Sequence, residues 1–304
     1  MPGHPAFNPD KDIPSLKGKV ILITGGYTSV VALAKHDPEH IYFTGRNTSA
    51  ANDLISLIKS TNPNTSLTFL HMDFSSLASV KAGTKKFAHD RLDILMCNAG
   101  IMQKPPSLSK DGYEIQFAIN HLAHAMLTRE LLPILIKTSE LPDSDVRIVS
   151  LSSMGWRSHP RGGVVFDELK TTQEGFMGSF IRYGQSKLAN IVYASELSKR
   201  YPSITSVSIH PSVVTTTLVN DLSAARRALV YVGCYVQGVA VVKPEEGVLS
   251  QLWVAAGAHK NDLVNGAFYM PVGILSNNLL DKVAKSEAFG EKLWDWTAKA
   301  LDEC

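Results

Sequence analysis

Lys19-Val20-Ile21-Leu22-Ile23-Thr24-Gly25 is a run of unbroken apolar residues that ends in a threonine and a glycine. Four bulky aliphatic residues without polar alternation read as a strand buried on both faces, the kind found in parallel sheets. Working outward, similar runs recur at Ile41–Thr44, Leu67–Met72, Ile94–Cys97, Arg147–Leu151, Thr205–His210 and Ala267–Met270. Between them lie helix-like stretches around Thr48–Ser60, Leu77–His89, Tyr113–Ile136, Phe180–Lys199 and Pro244–Ala256. Strand and helix alternate, which predicts an α/β fold: a doubly wound parallel sheet with helices on both faces. Leu141-Pro-Asp-Ser144 and Lys104-Pro-Pro-Ser107 read as turn-like insertions. The segment from Gly155 to Ser179 is long for a connection in a compact domain, which suggests substrate contact or a role in shape.

No linker or charge block interrupts the 304 residues, so a single domain is expected at 17–304, preceded by an N-terminal extension at 1–16. Apolar residues make up 44% of the chain, enough for a substantial core. A net charge of +2 with no basic stripe argues against a nucleic-acid partner. Cys97, Cys234 and Cys304 are too few and too scattered for a disulfide framework or a metal site, so a reducing, cytoplasmic setting is the default. His121, His124 and His210 sit in separate elements without paired ligand spacing, and no metal is expected. The first fifteen residues lack the basic start and apolar run of a signal peptide. Ala228–Val242 is apolar but short for a bilayer span and contains Gln237, so it reads as a buried or lid helix, with peripheral membrane contact as the alternative.

The chemistry is concentrated in Tyr183 and Lys187 with Ser153 and Asn120 upstream. Four residues apart on a helix, the phenol and the ammonium share one face. A nearby positive charge favours phenolate and is expected to lower the tyrosine pKa from about 10. Such a tyrosine can exchange a proton with a substrate oxygen, while a hydroxyl such as Ser153 holds that oxygen as its charge changes. Alone, a Tyr-x-x-x-Lys pair is a weak signal. Its setting is the stronger one: Thr24-Gly25, Cys97-Asn98-Ala99-Gly100, Asn120-His121, Ser152-Ser153, the Tyr/Lys pair, then Pro211-Ser212-Val213-Val214-Thr215-Thr216.

In that ordered set the chain resembles the short-chain dehydrogenase/reductase family from about Lys17 to the C-terminus, and most closely its fungal members similar to retinol and other lipophilic-alcohol dehydrogenases. The resemblance implies a Rossmann-like fold, a nicotinamide cofactor and catalysis by Ser153, Tyr183 and Lys187, with Asn120 kinking its helix and supporting a proton relay. It implies that Thr24 and Gly25 border the pyrophosphate, Asp73 the adenine and Asn98 the ribose. Tyr183 and Lys187, Val214 and Thr216 would lie on the nicotinamide side. Asp73 has a competing reading as a helix N-cap, and Asn98 as a brace for the sheet. Arg129 matches a basic position that lies near the cofactor in some relatives, although nine residues turn it to the helix face opposite Asn120. Arg46 follows the second strand where an acid would take the ribose of NAD, and an arginine there suits the 2′-phosphate of NADP. Ser212 replaces the family's usual glycine, which is expected to keep that backbone out of positive φ.

The departure lies in the first turn. The family pattern is Thr-Gly-x-x-x-Gly-x-Gly, whose glycines let the backbone approach a pyrophosphate at a helix N-terminus. Here Thr24-Gly25-Gly26 is followed by Tyr27-Thr-Ser-Val-Val-Ala-Leu-Ala34 with no later glycine. Fourteen residues, Tyr27 to His40, remain for the crossover to Ile41, close to the minimum of about 10–12. A helix such as Ser29–Lys35, capped by Thr28 or Ser29, would fit. Three readings stay open: the cofactor is held by the remaining contacts; the sequence stems from a gene model or splice form lacking a short piece; or hydride transfer has been lost in a cofactor-free binding protein, scaffold or isomerase.

The region after the Pro-x-x-Val-x-Thr motif, 218–242, reads as a substrate lid. It is rich in Leu, Val, Ala and Tyr, as pockets for apolar ligands are. A medium-sized lipophilic carbonyl or alcohol is therefore expected, plausibly in fungal secondary metabolism. A homo-oligomer using the same stretch is the competing view.

Overall fold

The computed structural model describes residues 3–4, 6–175, 177–214, 241–242 and 244–304. The opening stretch forms β1 (Val20–Thr24), and every one of its residues is buried. It pairs in parallel with β2 (His40–Gly45) on one side and β4 (Ile94–Cys97) on the other. The sheet extends through β3 (Leu67–His71), β5 (Arg147–Leu151), β6 (Thr205–Ile209) and β9 (Phe268–Met270). Its order is β3-β2-β1-β4-β5-β6-β9-β10, parallel throughout except for the antiparallel edge β10 (Ile274–Leu275). Two short strands, β7 (Val213–Val214) and β8 (Val241–Val242), pair separately. The order reverses between β1 and β4, and open α/β sheets bind ligands in the crevice at such a point, beyond the carboxyl ends of the strands.

Apolar side chains alternate between the two faces and feed two cores. Leu22, Leu95 and Ile148 pack toward α4 (Leu77–Thr84), α6 (Ala123–Ser139) and α7 (Gly178–Arg200). Ile21, Ile23, Phe43, Val207 and Ile209 pack toward α2 (Tyr27–Ala34) and α3 (Thr48–Thr61). The stretch expected as an extension, 1–16, contributes Phe7, Ile13 and Leu16 to this second core. A last helix, Glu287–Asp302, was not anticipated; Ser286 caps it by accepting from Phe289 N, and Phe289, Leu293 and Leu301 lie in the first core.

The shortened crossover is completed by an eight-residue α2, about 12 Å long. It starts at Tyr27, not Ser29, and neither Thr28 nor Ser29 caps it. Gly26 is the N-cap in left-handed backbone, and the Ser29 hydroxyl instead accepts from Gln251 Nε2 at 2.6 Å. The helix expected over Leu77–His89 stops at Thr84. That expected over Tyr113–Ile136 is broken by a π-helical turn, Ala118–Leu122, between α5 (Ile115–Phe117) and α6. Wide turns of this kind gather at functional sites, and Asn120 sits in the middle of this one.

Candidate active site

Two adjacent serines end β5 and have different tasks. Ser152 is buried and donates to the Lys187 carbonyl at 2.8 Å, fastening β5 to α7. Ser153 starts a 3-10 turn (Met154–Ser158), accepts from Gly155 N at 3.1 Å and lies near enough to Tyr183 to act on its pKa. Tyr183 and Lys187 stand one turn apart on α7, with the ammonium 5.8 Å from the phenol ring centroid. Lys187 Nζ donates to Leu151 O at 2.9 Å. Burial pushes its pKa down to about 8. Burial also pushes the Tyr183 phenol upward, with the Ser153 side chain acting the other way. The lowering expected from Lys187 is thus not the dominant effect in the chain by itself, because losing water costs a phenolate more than this geometry returns.

Asn120 is buried beside them. Its Oδ1 accepts from Ile101 N at 2.8 Å, and its Nδ2 donates to Ile101 O and to Ser186 Oγ at 3.0 and 2.9 Å. Asn190, three residues past Lys187, donates from Nδ2 to Asn120 O at 3.1 Å and to Leu151 O at 3.0 Å. Leu151 O therefore receives both Lys187 and Asn190. Asn190 was missed from the sequence, although its spacing is a signal, since a residue at i+3 shares the face of Lys187. Gly100 admits the close approach of these groups: a β-carbon there would lie 3.0 Å from Asn120 Oδ1 and 3.5 Å from Lys187 Nζ.

Thr24 ties this cluster to the crevice. Its Oγ1 accepts from Asn98 N and Ala99 N at 2.8 and 2.9 Å and lies 2.9 Å from His124 Nε2. His124 Nδ1 faces Asn120 O at 3.1 Å. A carbonyl can only accept, so Nδ1 carries the proton and Nε2 accepts from the Thr24 hydroxyl. Burial holds His124 neutral, with its pKa lowered to about 3. His121 faces Asn190 and Thr297, while both ring nitrogens of His210 are buried without a partner among the described residues. Among the described residues no cluster of His, Cys, Asp and Glu could hold a metal ion.

At the switch point the backbone fits a dinucleotide. Gly25 and Gly26 both have φ +62, and a β-carbon on Gly26 would stand 2.5 Å from Asn98 Nδ2. Asn98 also braces β1 by donating from Nδ2 to Thr24 O at 3.1 Å. Arg46 is exposed beyond β2, and none of the ion pairs of the described residues uses it. Tyr27 packs edge-on against Phe43 at 5.8 Å and beside Gly45, bordering the crevice rather than plugging the β1–β4 gap. Thr24, Gly25 and Asn98 thus meet at the switch point, with Arg46 at the end of the neighbouring strand β2.

Other expected residues are placed differently. Asp73 accepts from Lys110 at 2.8 Å and from the Ser75 hydroxyl at 2.7 Å. Burial raises its pKa, but these bonds outweigh burial and hold it at about 2. It is not the cap of α4; Ser76 is. Arg129 is not brought to the cluster: it donates to Asp302 Oδ1 at 2.6 Å and Leu301 O at 2.9 Å, at the end of the last helix. Ser212 keeps φ +75, so the backbone retains the left-handed conformation that the serine was expected to prevent. Val214 lies in β7, and Thr216 is outside the described residues, as is the expected lid except for 241–242.

A parallel doubly wound sheet with a Ser, Tyr and Lys cluster at the carboxyl ends of its strands marks a class of nucleotide-dependent oxidoreductases. Residues 19–227 match the family model described as short chain dehydrogenase. The chain belongs to the short-chain dehydrogenase family, whose members bind NAD or NADP. It is 34% identical over 303 residues to an uncharacterized oxidoreductase of Schizosaccharomyces pombe, covering 96% of this chain and 87% of that one. It is 33% identical to a short-chain dehydrogenase/reductase of Aspergillus calidoustus, covering 95% of each. Among solved structures, an uncharacterized protein from Mycobacterium paratuberculosis superimposes with a TM-score of 0.71 at 23% identity, over 96% of this chain and 97% of that one. Among the described residues no helix is long and apolar enough to cross a membrane.

Proposed function

We propose that this chain interconverts a carbonyl and an alcohol on a lipophilic small molecule with NADP(H). The observation that carries this reading is the meeting of Ser153, Tyr183 and Lys187 at the end of β5, braced by Asn120 and Asn190. The nicotinamide supplies or accepts the hydride when bound. Ser153 holds the reacting oxygen, and the Tyr183 phenol gives or takes its proton. Lys187, with its pKa lowered to about 8, can hold or release a proton near neutrality. Arg46 and the lack of an acid at the end of β2 support NADP over NAD. Val214 and Thr216 belong to the nicotinamide side, and Asp73 to the adenine side. Arg129 supports the fold at the last helix. The apolar composition of 218–242 supports a terpenoid-, polyketide- or retinoid-like substrate, and the fungal relatives support a role in secondary metabolism in the cytoplasm.

Titration with NADPH and turnover of decalone- or retinal-like ketones and aldehydes test this. Micromolar NADPH affinity is expected, as is turnover that Tyr183→Phe abolishes with the melting temperature unchanged. Full activity in Tyr183→Phe ends the assignment of the acid/base. No binding at millimolar NADPH favours the cofactor-free alternative, to which the bulky Tyr27 at the turn would then belong.

A further inference from the structure

Gln103 lies three residues past Gly100 in the loop that follows β4, and it is 4% exposed. A carboxamide offers two donors and an acceptor oxygen, yet among the described residues neither its Nε2 nor its Oε1 has a partner. Its backbone is also held at φ 56, a left-handed conformation that a glutamine enters only when its surroundings impose it.

The surroundings do impose it. Gln116 Oε1 accepts the Gln103 backbone N–H at 2.9 Å, and Gln116 Nε2 donates to Ser179 O at 3.1 Å. Arg182 donates to Lys104 O at 3.1 Å and to Gln173 O at 2.9 Å, and pairs with the buried Glu114 at 3.1 Å. These contacts fix the backbone of the loop, while both polar atoms of the Gln103 amide are left over, together with the single donor Gln173 Nε2. Buried, unpaired amides cost stability, so such a group points to a partner from outside the chain.

The loop places that partner. At one end, Gly100 faces Asn120 and the Lys187 ammonium, which a β-carbon there would approach to 3.0 and 3.5 Å. At the other, Lys104 meets Ser179, which is four residues before Tyr183 and on the same face of α7. Gln103 thus stands on a bridge from the catalytic lysine to the turn preceding the phenol.

We infer that the Gln103 carboxamide binds substrate, pairing with a second oxygen function of the lipophilic carbonyl or alcohol, remote from the reacting carbon. Gln103 is then a specificity-determining residue that selects substrates oxygenated at two places. The inference rests on the oxidoreductase reading above.

The test uses Gln103→Met, which keeps length and volume, and two probes, trans-1-decalone and a ring-hydroxylated decalone. Without ligand, the variant should melt at the same temperature as the parent or higher, because an unpaired amide has been removed. KM for the hydroxylated ketone should rise about tenfold, while KM for decalone should stay unchanged or fall. A lower melting temperature would show that the amide serves the fold and would overturn the inference. So would equal shifts for the two ketones, or no shift for either. A parent protein that turns over neither ketone sinks the oxidoreductase reading and this inference with it; turnover of both with equal shifts sinks the inference alone.

Discussion

Gly155 lies directly against the Tyr183 ring: a β-carbon at that position would stand 2.7 Å from Cε1 and 2.9 Å from Cδ1. The 3-10 turn that carries Ser153 thus lies on the flank of the phenol, and the absence of a side chain leaves room for the ring. Gly155→Ala should push the ring aside. Overpacking of this kind costs about 1–3 kcal/mol, and a misplaced acid/base of about 1 Å can cost about 10²-fold in rate. The expected result is a lower melting temperature and a kcat down by about that factor. An unchanged kcat would show that the ring moves without consequence.

Lys187 is a cation buried against its preference. Its folded pKa of about 8 lies below the ordinary 10.5, so between those values the unfolded chain binds more protons than the native one. Stability therefore rises with pH across that window, and the cost of the buried charge is complete below about pH 8. Lys187→Met should stabilise the cofactor-free protein at pH 7, by up to the order of 3 kcal/mol, and the gain should fade as pH approaches 10.5. Leu151 O is not orphaned by this change, since Asn190 Nδ2 still donates to it at 3.0 Å. Turnover should be lost. Urea melts of parent and variant across this range decide the matter, and a pH-independent difference would refute the burial argument.

What the sequence made legible follows from the physics of each element. The seven parallel strands were readable because strands buried on both faces need continuous apolar runs, and such runs occur where β1 to β6 and β9 formed. Ser153 could be preferred over Ser152 only by resemblance; in the structure Ser152 spends its hydroxyl on the Lys187 carbonyl. The resemblance implied a kink at Asn120, but its π form was hidden, because backbone hydrogen bonds decide between α and π geometry and the local residues suit either. The competing reading of Asp73 as a cap rested on the preference of aspartate for that position, but Ser76 lies nearer the helix and took it. Arg129 was out of reach of sequence reasoning altogether: its partners are Leu301 and Asp302, more than 170 positions away. The last helix was legible in principle from Ser286 and the apolar spacing that follows it.

Ser212 occupies a position that suits glycine. With φ +75, its β-carbon pays a steric cost of roughly 1 kcal/mol or more. Ser212→Gly should therefore raise the stability of the protein by about 0.5–1 kcal/mol, the gain tempered by the greater freedom of glycine in the unfolded chain. Thermal or urea unfolding checks this. A destabilised variant would mean that the serine hydroxyl makes a contact worth more than the strain it brings.

Arg129 provides the sharpest division between fold and site. Its guanidinium donates to Leu301 O and to the Asp302 carboxylate, at the end of the last helix where carbonyls lack intrahelical partners and the helix dipole favours a cation. Asp302 is largely exposed, so the ion pair itself contributes little, and the carbonyl contact supplies most of the effect. Arg129→Met keeps the apolar stem and removes the charge. It should lower stability by about 1 kcal/mol while leaving both the NADPH dissociation constant and kcat as they are. Calorimetric titration with NADPH, alongside a melting curve, separates the two roles. If the dissociation constant rises tenfold while the melting temperature holds, the arginine belongs to the cofactor and the last helix is held by its apolar face alone.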